Sequence, residues 1–469
     1  MKELGDRTAD HGSDVGGGVL PLLDAAPLSA RYWLLIILLV LGLVFELYDF
    51  FIAGFIVSAV APGWQLTFGQ TSCILVSAGL GAIAGSLGFG RLADQFGRKR
   101  SLVAAGLVCS AAAGAIALVP ERSWLLFSLL RFLVGVGYGG ASVTQLAMIV
   151  EFTPTRFRTL FSSILLAPVA AGMLLAALTF AIFLPVLGWR GVAALGAVPA
   201  VISLALWWAA PESIRWLISK GRLEHARQAA SRFLGIDMAH IPTFATTPAA
   251  EPRGQTPLHE LWADQGRFWL VALVYFGFNI TITGCYLYGP VIVAQTFHIT
   301  PREAAFAFVY VSLVGAVGRV IFSIVPHYAG RIRAGQISLV GAALAMIGAA
   351  VFHDTLIGTV PLLLIFLIGG ALFWDGGVAA ISPYAAEIFP VKMAARGMGL
   401  AQAASGVGKF FSPFVLALMA GSSNLITPQT TSAVVMPAFL FFAAGSLLAA
   451  TVLTVWGREP HGAPLVLDE

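Results

Sequence analysis

The sequence predicts an all-α membrane protein: twelve transmembrane helices in two pseudo-symmetric six-helix bundles. Three observations predict it. Apolar runs close to the ~20 residues needed to cross a bilayer recur along the whole chain. Of the 469 residues, 58% are hydrophobic and only 11% charged, well below the ~25% charged residues of soluble domains. Basic residues gather in every second loop, and a loop motif after the fourth run returns after the tenth. A soluble globular protein is excluded. The formal charge of +4 lies in short turns beside apolar runs, so no nucleic-acid partner is expected. Cys73, Cys109 and Cys285 all fall inside apolar runs, which predicts packing roles, no disulfide and no metal.

In chain order, residues 1–30 read as a cytoplasmic tail. Residues 1–18 are polar and Gly-rich without the apolar core of a signal peptide, and 20–30 suit a short surface helix. The first bundle is expected over 31–209, with spans at 33–59, 69–89, 101–119, 124–149, 160–184 and 191–209. A cytoplasmic connector follows at 210–267, with a helix over 217–234 and a Pro/Ala/Thr-rich linker over 243–257. The second bundle covers 268–457, with spans at 268–290, 303–326, 336–353, 358–382, 396–420 and 434–456, and 458–469 form a second tail. These runs lack the period-2 alternation of barrel strands, so they are helices whose backbone groups pair internally. One set of alternate loops holds clusters such as Arg91, Arg98, Lys99 and Arg100, whereas the other holds only Arg122, Arg190 and Arg302. The positive-inside rule places both termini in the cytoplasm, in a plasma (inner) membrane.

The halves repeat. Glu151-Phe-Thr-Pro154 reappears as Glu387-Ile-Phe-Pro390. The polar knot Gly90–Arg100 after span 2 has a worn copy at Ser323–Arg333 after span 8, with His327 opposite Asp94. A six-plus-six repeat is a transporter plan, with the substrate near the midplane between the halves.

These motifs identify a resemblance. Gly90–Arg100 matches the loop motif G-x-L-A-D-x-x-G-R-K-x of the major facilitator superfamily, and Arg131-Phe-Leu-Val-Gly135 with Gly137, Gly139 and Gly140 is similar to its second motif. Glu151-x-x-Pro154-x-x-x-Arg158 and Pro211-Glu-Ser-Ile-Arg-Trp-Leu217 resemble the sugar-porter branch. The interval Pro390 to Arg396 is two residues longer than Pro154 to Arg158, and the branch's terminal motif survives only as Gly457-Arg-Glu-Pro460. Its glutamine-rich sugar site in span 7 is replaced by Asn279, Thr281, Thr283, Tyr286 and Tyr288. Span 1, with Glu46-Leu-Tyr-Asp49, looks more like organic-acid:proton symporters. The resemblance implies an inner charge network of Asp94, Arg98, Glu151, Arg158, Glu212, Arg215, Arg331, Glu387 and Arg396. That network would latch the halves when the protein opens outward and part when it opens inward.

Six ionisable groups fall within the spans: Glu46, Asp49, Arg131, Arg319, Asp375 and Lys409. Each costs at least ~2.5–3.5 kcal/mol at a helix centre, which makes each a candidate functional group. At ~1.5 Å per residue, Asp49 and Arg131 lie at depths that an arginine side chain bridges. In proton-coupled relatives the matching acid pairs with the span-4 arginine and carries the proton. Burial favours a neutral carboxyl and a nearby guanidinium favours the ionised one, so a contact that makes and breaks would load and release a proton. A permanent salt bridge between spans 1 and 4 is the plainer reading. Glu46, one turn away, reads as a second proton site or a packing contact.

Arg319 and Asp375 match in depth and are expected to pair. Lys409, at the centre of span 11, has no acid at its own depth and invites an anionic ligand, a role Arg319 would share; the alternative is that it stretches to Asp375. Tyr286 and Trp374 flank polar positions as cavity walls, and Asn279 and Tyr138 complete the expected site. The resulting expectation is no enzyme and no cofactor, but a monomeric secondary transporter that takes up a small organic anion, an aromatic or other carboxylic acid, together with a proton. A sugar or neutral-metabolite porter is the first alternative. A proton antiporter exporting drugs or metabolites is weakened by the degenerate span-5 motif Ser163–Gly172. A nutrient sensor ranks last.

Overall fold

The computed structural model describes residues 22, 28–154, 168–241, 264–358, 360–389 and 394–459. Arg156, Arg158, the linker at 243–257 and the side chain of Arg396 lie outside the described residues, as do the tail at 1–18 and most of the surface helix expected at 20–30.

Twelve principal helices follow the expected spans. In the first half they are α1 (Ala30–Trp64), α2 (Phe68–Phe96), α3 (Arg98–Ala115), α4 (Trp124–Phe152), α5 (Pro168–Ala194) and α6 (Ala200–Ala209). The second half holds α7 (Gln265–Thr296), α8 (Pro301–Ala329), α9 (Arg331–Val351), α10 (Leu362–Ile381), α11 (Ala394–Met419) and α12 (Pro428–Trp456). The run through α5 breaks at Gly188 (φ 63°, ψ 178°), which marks the turn into the sixth span. Ten helical stretches among the described residues are long and apolar enough to cross a bilayer, with α5 and α6 counted as one. The chain is therefore a multi-pass membrane protein. Helix α11 is not among the ten, because Gln402, Ser405 and Lys409 interrupt its apolar run.

Local chemistry sets the helix starts. The Ser29 hydroxyl accepts from the Tyr32 N–H, and Thr67–Gln70, Thr300–Glu303 and Thr427–Thr430 form reciprocal caps. Gly97 (φ 109°) and Gly330 (φ 86°) make the tight turns from α2 to α3 and from α8 to α9, where a β-carbon would be strained.

Two sequence expectations change. The single connector helix expected over 217–234 is two helices, Ile214–Ser219 and Leu223–Leu234, separated at Gly221 (φ 69°). The tenth span starts at Leu362, because Leu356–Ile357 and Val360–Pro361 form a small antiparallel hairpin before it.

Gly81 and Gly85 on α2 face the backbone of Phe132 and Val136, while Gly135 and Gly139 on α4 face that of Ala78 and Ala82. The small residues thus let two helices meet at backbone distance. Across the halves, α5 meets α8, α2 meets α11 and α1 meets α7. The connector helix Leu223–Leu234 turns Ala226, Ala230 and Phe233 onto the inner end of the first half, against Tyr32 and Phe152.

The end of the molecule that carries the first and last interhelical loops is closed by main chain. Phe68 N–H donates to Asn424 O, Gly69 N–H to Ser422 O and Ile426 N–H to Leu66 O, each at 3.0 Å. Thr67 and Leu425 form an antiparallel bridge within this pairing. The first loop of one half is thereby sewn to the last loop of the other.

Candidate functional site

Three groups of charge lie inside the molecule, and they differ in how they are satisfied. In the first, α1 carries Asp49 and Glu46, buried at 1% and 6% exposure. Arg131 on α4 is also buried, but it does not form the carboxylate pair expected from depth. Its guanidinium donates to main-chain oxygens, Asp49 O at 2.5 Å and Phe50 O at 3.0 Å. The Asp49 carboxylate turns toward α3, with the Cys109 thiol 3.9 Å from Oδ2, and toward Gly196, where a β-carbon would stand 3.0 Å from Oδ1. Depth fixes position along the normal and says nothing of rotation about the helix, which is why the expected contact goes to the backbone instead. Glu46 accepts from Gln145 Nε2 at 2.5 Å and from Ser142 Oγ at 3.3 Å.

In the second group, Arg319 on α8 grips Asp375 on α10, with Nε and a terminal nitrogen 3.1 and 2.6 Å from Oδ1. Tyr286 on α7 donates to the other oxygen, Oδ2, at 2.5 Å. Gly315 leaves the space that Asp375 fills. Arg319 is thus committed to Asp375 in this conformation, and the carboxylate-binding role it was expected to share is not available to it here.

Lys409 forms the third group. Its ammonium lies 5.8 Å from the centroid of Phe50 on the opposite half, within cation–π range. Among the described residues it makes no hydrogen bond or ion pair, and the alternative contact with Asp375 does not form. Phe50 packs on Tyr138 at 5.7 Å, Phe51 on Tyr286 at 5.5 Å, and Tyr286 on Trp374 at 6.4 Å. An aromatic belt therefore runs from α4 through α1 to α7 and α10 beside the cation. The Asn279 amide on α7 donates to Tyr275 O and Ser405 Oγ, tying α7 to α11 one turn before Lys409.

The inner charge residues form two clusters. In the first half Arg98 reaches Asp94 at 2.5 Å and Glu151 at 3.3 Å, and Ser213 donates to Glu151. Glu212 accepts from the Lys99 N–H, and Arg215 sits in the first turn of the helix Ile214–Ser219. In the second half Arg331 pairs with Glu387, and Glu459 accepts from the N–H groups of Arg331 and Ile332. The described ion pairs of these clusters each stay within one half.

Sequence reasoning missed Gln145, Cys109 and Glu459. Glu459 was visible in the motif Gly457–Pro460, but its partner helix was not. Gln145 stands one residue past Thr144 on an apolar helix, and only the fold turns it onto Glu46.

A family model described as "Sugar (and other) transporter" matches residues 35–461. The chain is similar to the niacin transporter NiaP of Acinetobacter baylyi, 27% identical over 455 residues that cover 94% of this chain and 98% of that protein. It is similar to the gallate transporter of Pseudomonas putida, 26% identical over 416 residues, 86% of this chain and 90% of that protein. In fold it resembles the xylose transporter XylE from E. coli in a partially occluded inward-open conformation, with a TM-score of 0.68 and 19% identity across 92% of this chain and 100% of that one.

Proposed function

The chain belongs to the sugar (and other) transporter family of the major facilitator superfamily, and on that premise we propose that it takes up a small aromatic carboxylate together with a proton. The observation that carries the reading is Lys409, a buried-side cation between the halves whose only described partner is the Phe50 ring. A carboxylate supplies the charge that ammonium lacks, and its aromatic ring fits the belt of Phe50, Tyr138, Tyr286 and Trp374. The relatives named for niacin and gallate transport support an aromatic acid over a sugar.

In this reading the anion enters from outside and binds Lys409. Proton loading on Asp49 neutralises the first half's interior and lets the outer loops close through Leu66–Gly69 and Ser422–Ile426. The described state, closed outside, is the one that releases both solutes inward. Both termini lie in the cytoplasm, the membrane is the plasma (inner) membrane, and the transporter works as a monomer. The domain division is that of the sequence, two bundles at 31–209 and 268–457 on a connector.

The test is uptake into proteoliposomes under an imposed inward proton gradient, with nicotinate, gallate, 4-hydroxybenzoate and xylose offered in parallel. Accumulation of an aromatic acid that collapses with a protonophore is expected. Accumulation of xylose alone, or of the acids without regard to the gradient, contradicts the reading.

A further inference from the structure

A water-sized cavity lies within the first half, between α1, α3, α4 and α6, away from the surface where the halves meet. Glu46, Asp49, Ser110 and Gln145 are on its walls, and Gly42 and Gly106 give it room. Three of the residues on these walls each bear a buried polar atom with no partner among the described residues: Asp49 Oδ1, which stands beside Gly196, Ser110 Oγ and Gln145 Oε1. The residues that bear them are only 1%, 1% and 2% exposed. Buried polar atoms left without partners are costly, and proteins commonly satisfy them with a water that makes about three hydrogen bonds.

In donor and acceptor character the three orphans match what one water supplies. The amide oxygen of Gln145 and the carboxylate oxygen of Asp49 accept, while the Ser110 hydroxyl can donate. A water gives one hydrogen to each acceptor and takes the hydroxyl's hydrogen on its own oxygen. The Gln145 amide faces both ways: its Nε2 donates to Glu46 Oε1 at 2.5 Å, while its Oε1 is the orphan. Gly42 leaves room for that amide, since a β-carbon there would stand 2.9 Å from Nε2.

The charge count points the same way. The groups facing this region are Glu46 and Asp49 from α1, Cys109 from α3, and Arg131 and Tyr138 from α4. One guanidinium against two carboxyls leaves one negative charge too many for a buried site if both acids ionise. A single proton on the pair would bring these charges to balance. The two acids are also unequal: Glu46 accepts from an amide and a hydroxyl, whereas Asp49 has only a thiol at 3.9 Å.

We propose that this chamber binds one water through which Glu46 and Asp49 exchange a single proton, with Ser110 and Gln145 as positioning residues. The idea rests on the proton-coupled reading above and names the path of its proton. Neutral Glu46 gives its proton to the water oxygen as the water gives one of its own to the Asp49 carboxylate. Glu46 ends as the anion, Asp49 ends neutral, and the water is unchanged.

The experiment compares two readouts in proteoliposomes, using whichever of nicotinate, gallate and 4-hydroxybenzoate the wild type accumulates. One is accumulation driven by a proton gradient; the other is counterflow, which needs no net proton movement. Ser110→Ala and Gln145→Leu are expected to lower the ratio of accumulation to counterflow about tenfold. Ser110→Thr, which keeps the hydroxyl, is expected to restore it. Glu46→Gln is expected to match Ser110→Ala, and the double variant to be no worse than either alone, as for residues on one path. An unchanged ratio in both Ser110→Ala and Gln145→Leu overturns the proposal. Wild-type accumulation that follows a sodium gradient at equal pH also overturns it, since the same oxygens would then hold a sodium ion. Counterflow without any gradient-driven accumulation in the wild type would instead sink the proton-coupled reading itself.

Discussion

Glu212 and Glu459 perform the same task at pseudo-symmetric places. Glu212 accepts from the Lys99 N–H at 2.9 Å at the start of α3, and Glu459 accepts from the N–H groups of Arg331 and Ile332 at 2.7 and 3.0 Å at the start of α9. Each carboxylate also packs against the glycine of its turn, Gly97 or Gly330. A carboxylate on the unpaired N–H groups of a helix start is stabilised by the helix dipole. Replacing either with alanine is expected to cost about 1 kcal/mol, read as a lower melting temperature of the purified protein. Equal melting of Glu459→Ala and wild type would remove the cap from the account.

The two copies of the loop motif differ. Asp94 holds Arg98 at 2.5 Å, and Arg98 reaches on to Glu151. His327, at the matching place, has the ring of Tyr328 at 5.5 Å as its described contact. Asp94→Asn should therefore slow uptake much more than His327→Ala. Equal effects on initial uptake rates would show that the copies share the work.

The outer closure can be opened by one side chain. A β-carbon on Gly69 would lie 2.8 Å from Ser422 O, the acceptor of the Gly69 N–H. Gly69→Val is expected to disfavour the closed outer loops and shift the population outward by about tenfold, which takes about 1.4 kcal/mol. In a Tyr288→Cys background, labelling from outside by a membrane-impermeant thiol reagent should rise, because Tyr288 lies under Phe68. Unchanged labelling would contradict this gate.

The Arg319–Asp375 pair is buried, and breaking one side of such a pair costs about 3–5 kcal/mol. Arg319→Ala and Asp375→Asn should each lower thermal stability strongly. The double variant Arg319→Gln with Asp375→Asn removes both charges and is expected to recover much of the loss. A double variant as unstable as the sum of the singles would mean that the pair is not a closed unit.

The spans were legible because the bilayer forces each crossing to be a long apolar run, and their number and the six-plus-six repeat followed. Two kinds of feature were not. The rotation of a helix about its axis decides whether Asp49 meets Arg131 or Cys109, and an almost uniformly apolar span such as α1 carries no amphipathic stripe to set it. Contacts between distant segments, such as Gly69 with Ser422 or Glu459 with Arg331, leave no local pattern at all. Gly221, by contrast, was a readable break in the connector, which helical spacing on either side concealed. Lys409 was the most conspicuous candidate in the sequence, since a lone cation in the middle of an apolar run has few structural explanations.

The central claim is that Lys409 binds the carboxylate of an aromatic substrate, and one measurement tests it most directly. Uptake of nicotinate and its competition by nicotinamide would be measured for the wild type and Lys409→Ala at equal surface expression. Losing a hydrogen bond to a charged group costs about 1.5–3 kcal/mol, or roughly ten- to a hundredfold. The account predicts that loss in nicotinate kcat/KM for Lys409→Ala, with nicotinamide competing poorly against the wild type. Nicotinate uptake by Lys409→Ala equal to wild type, or nicotinamide competing as well as the acid, would contradict it.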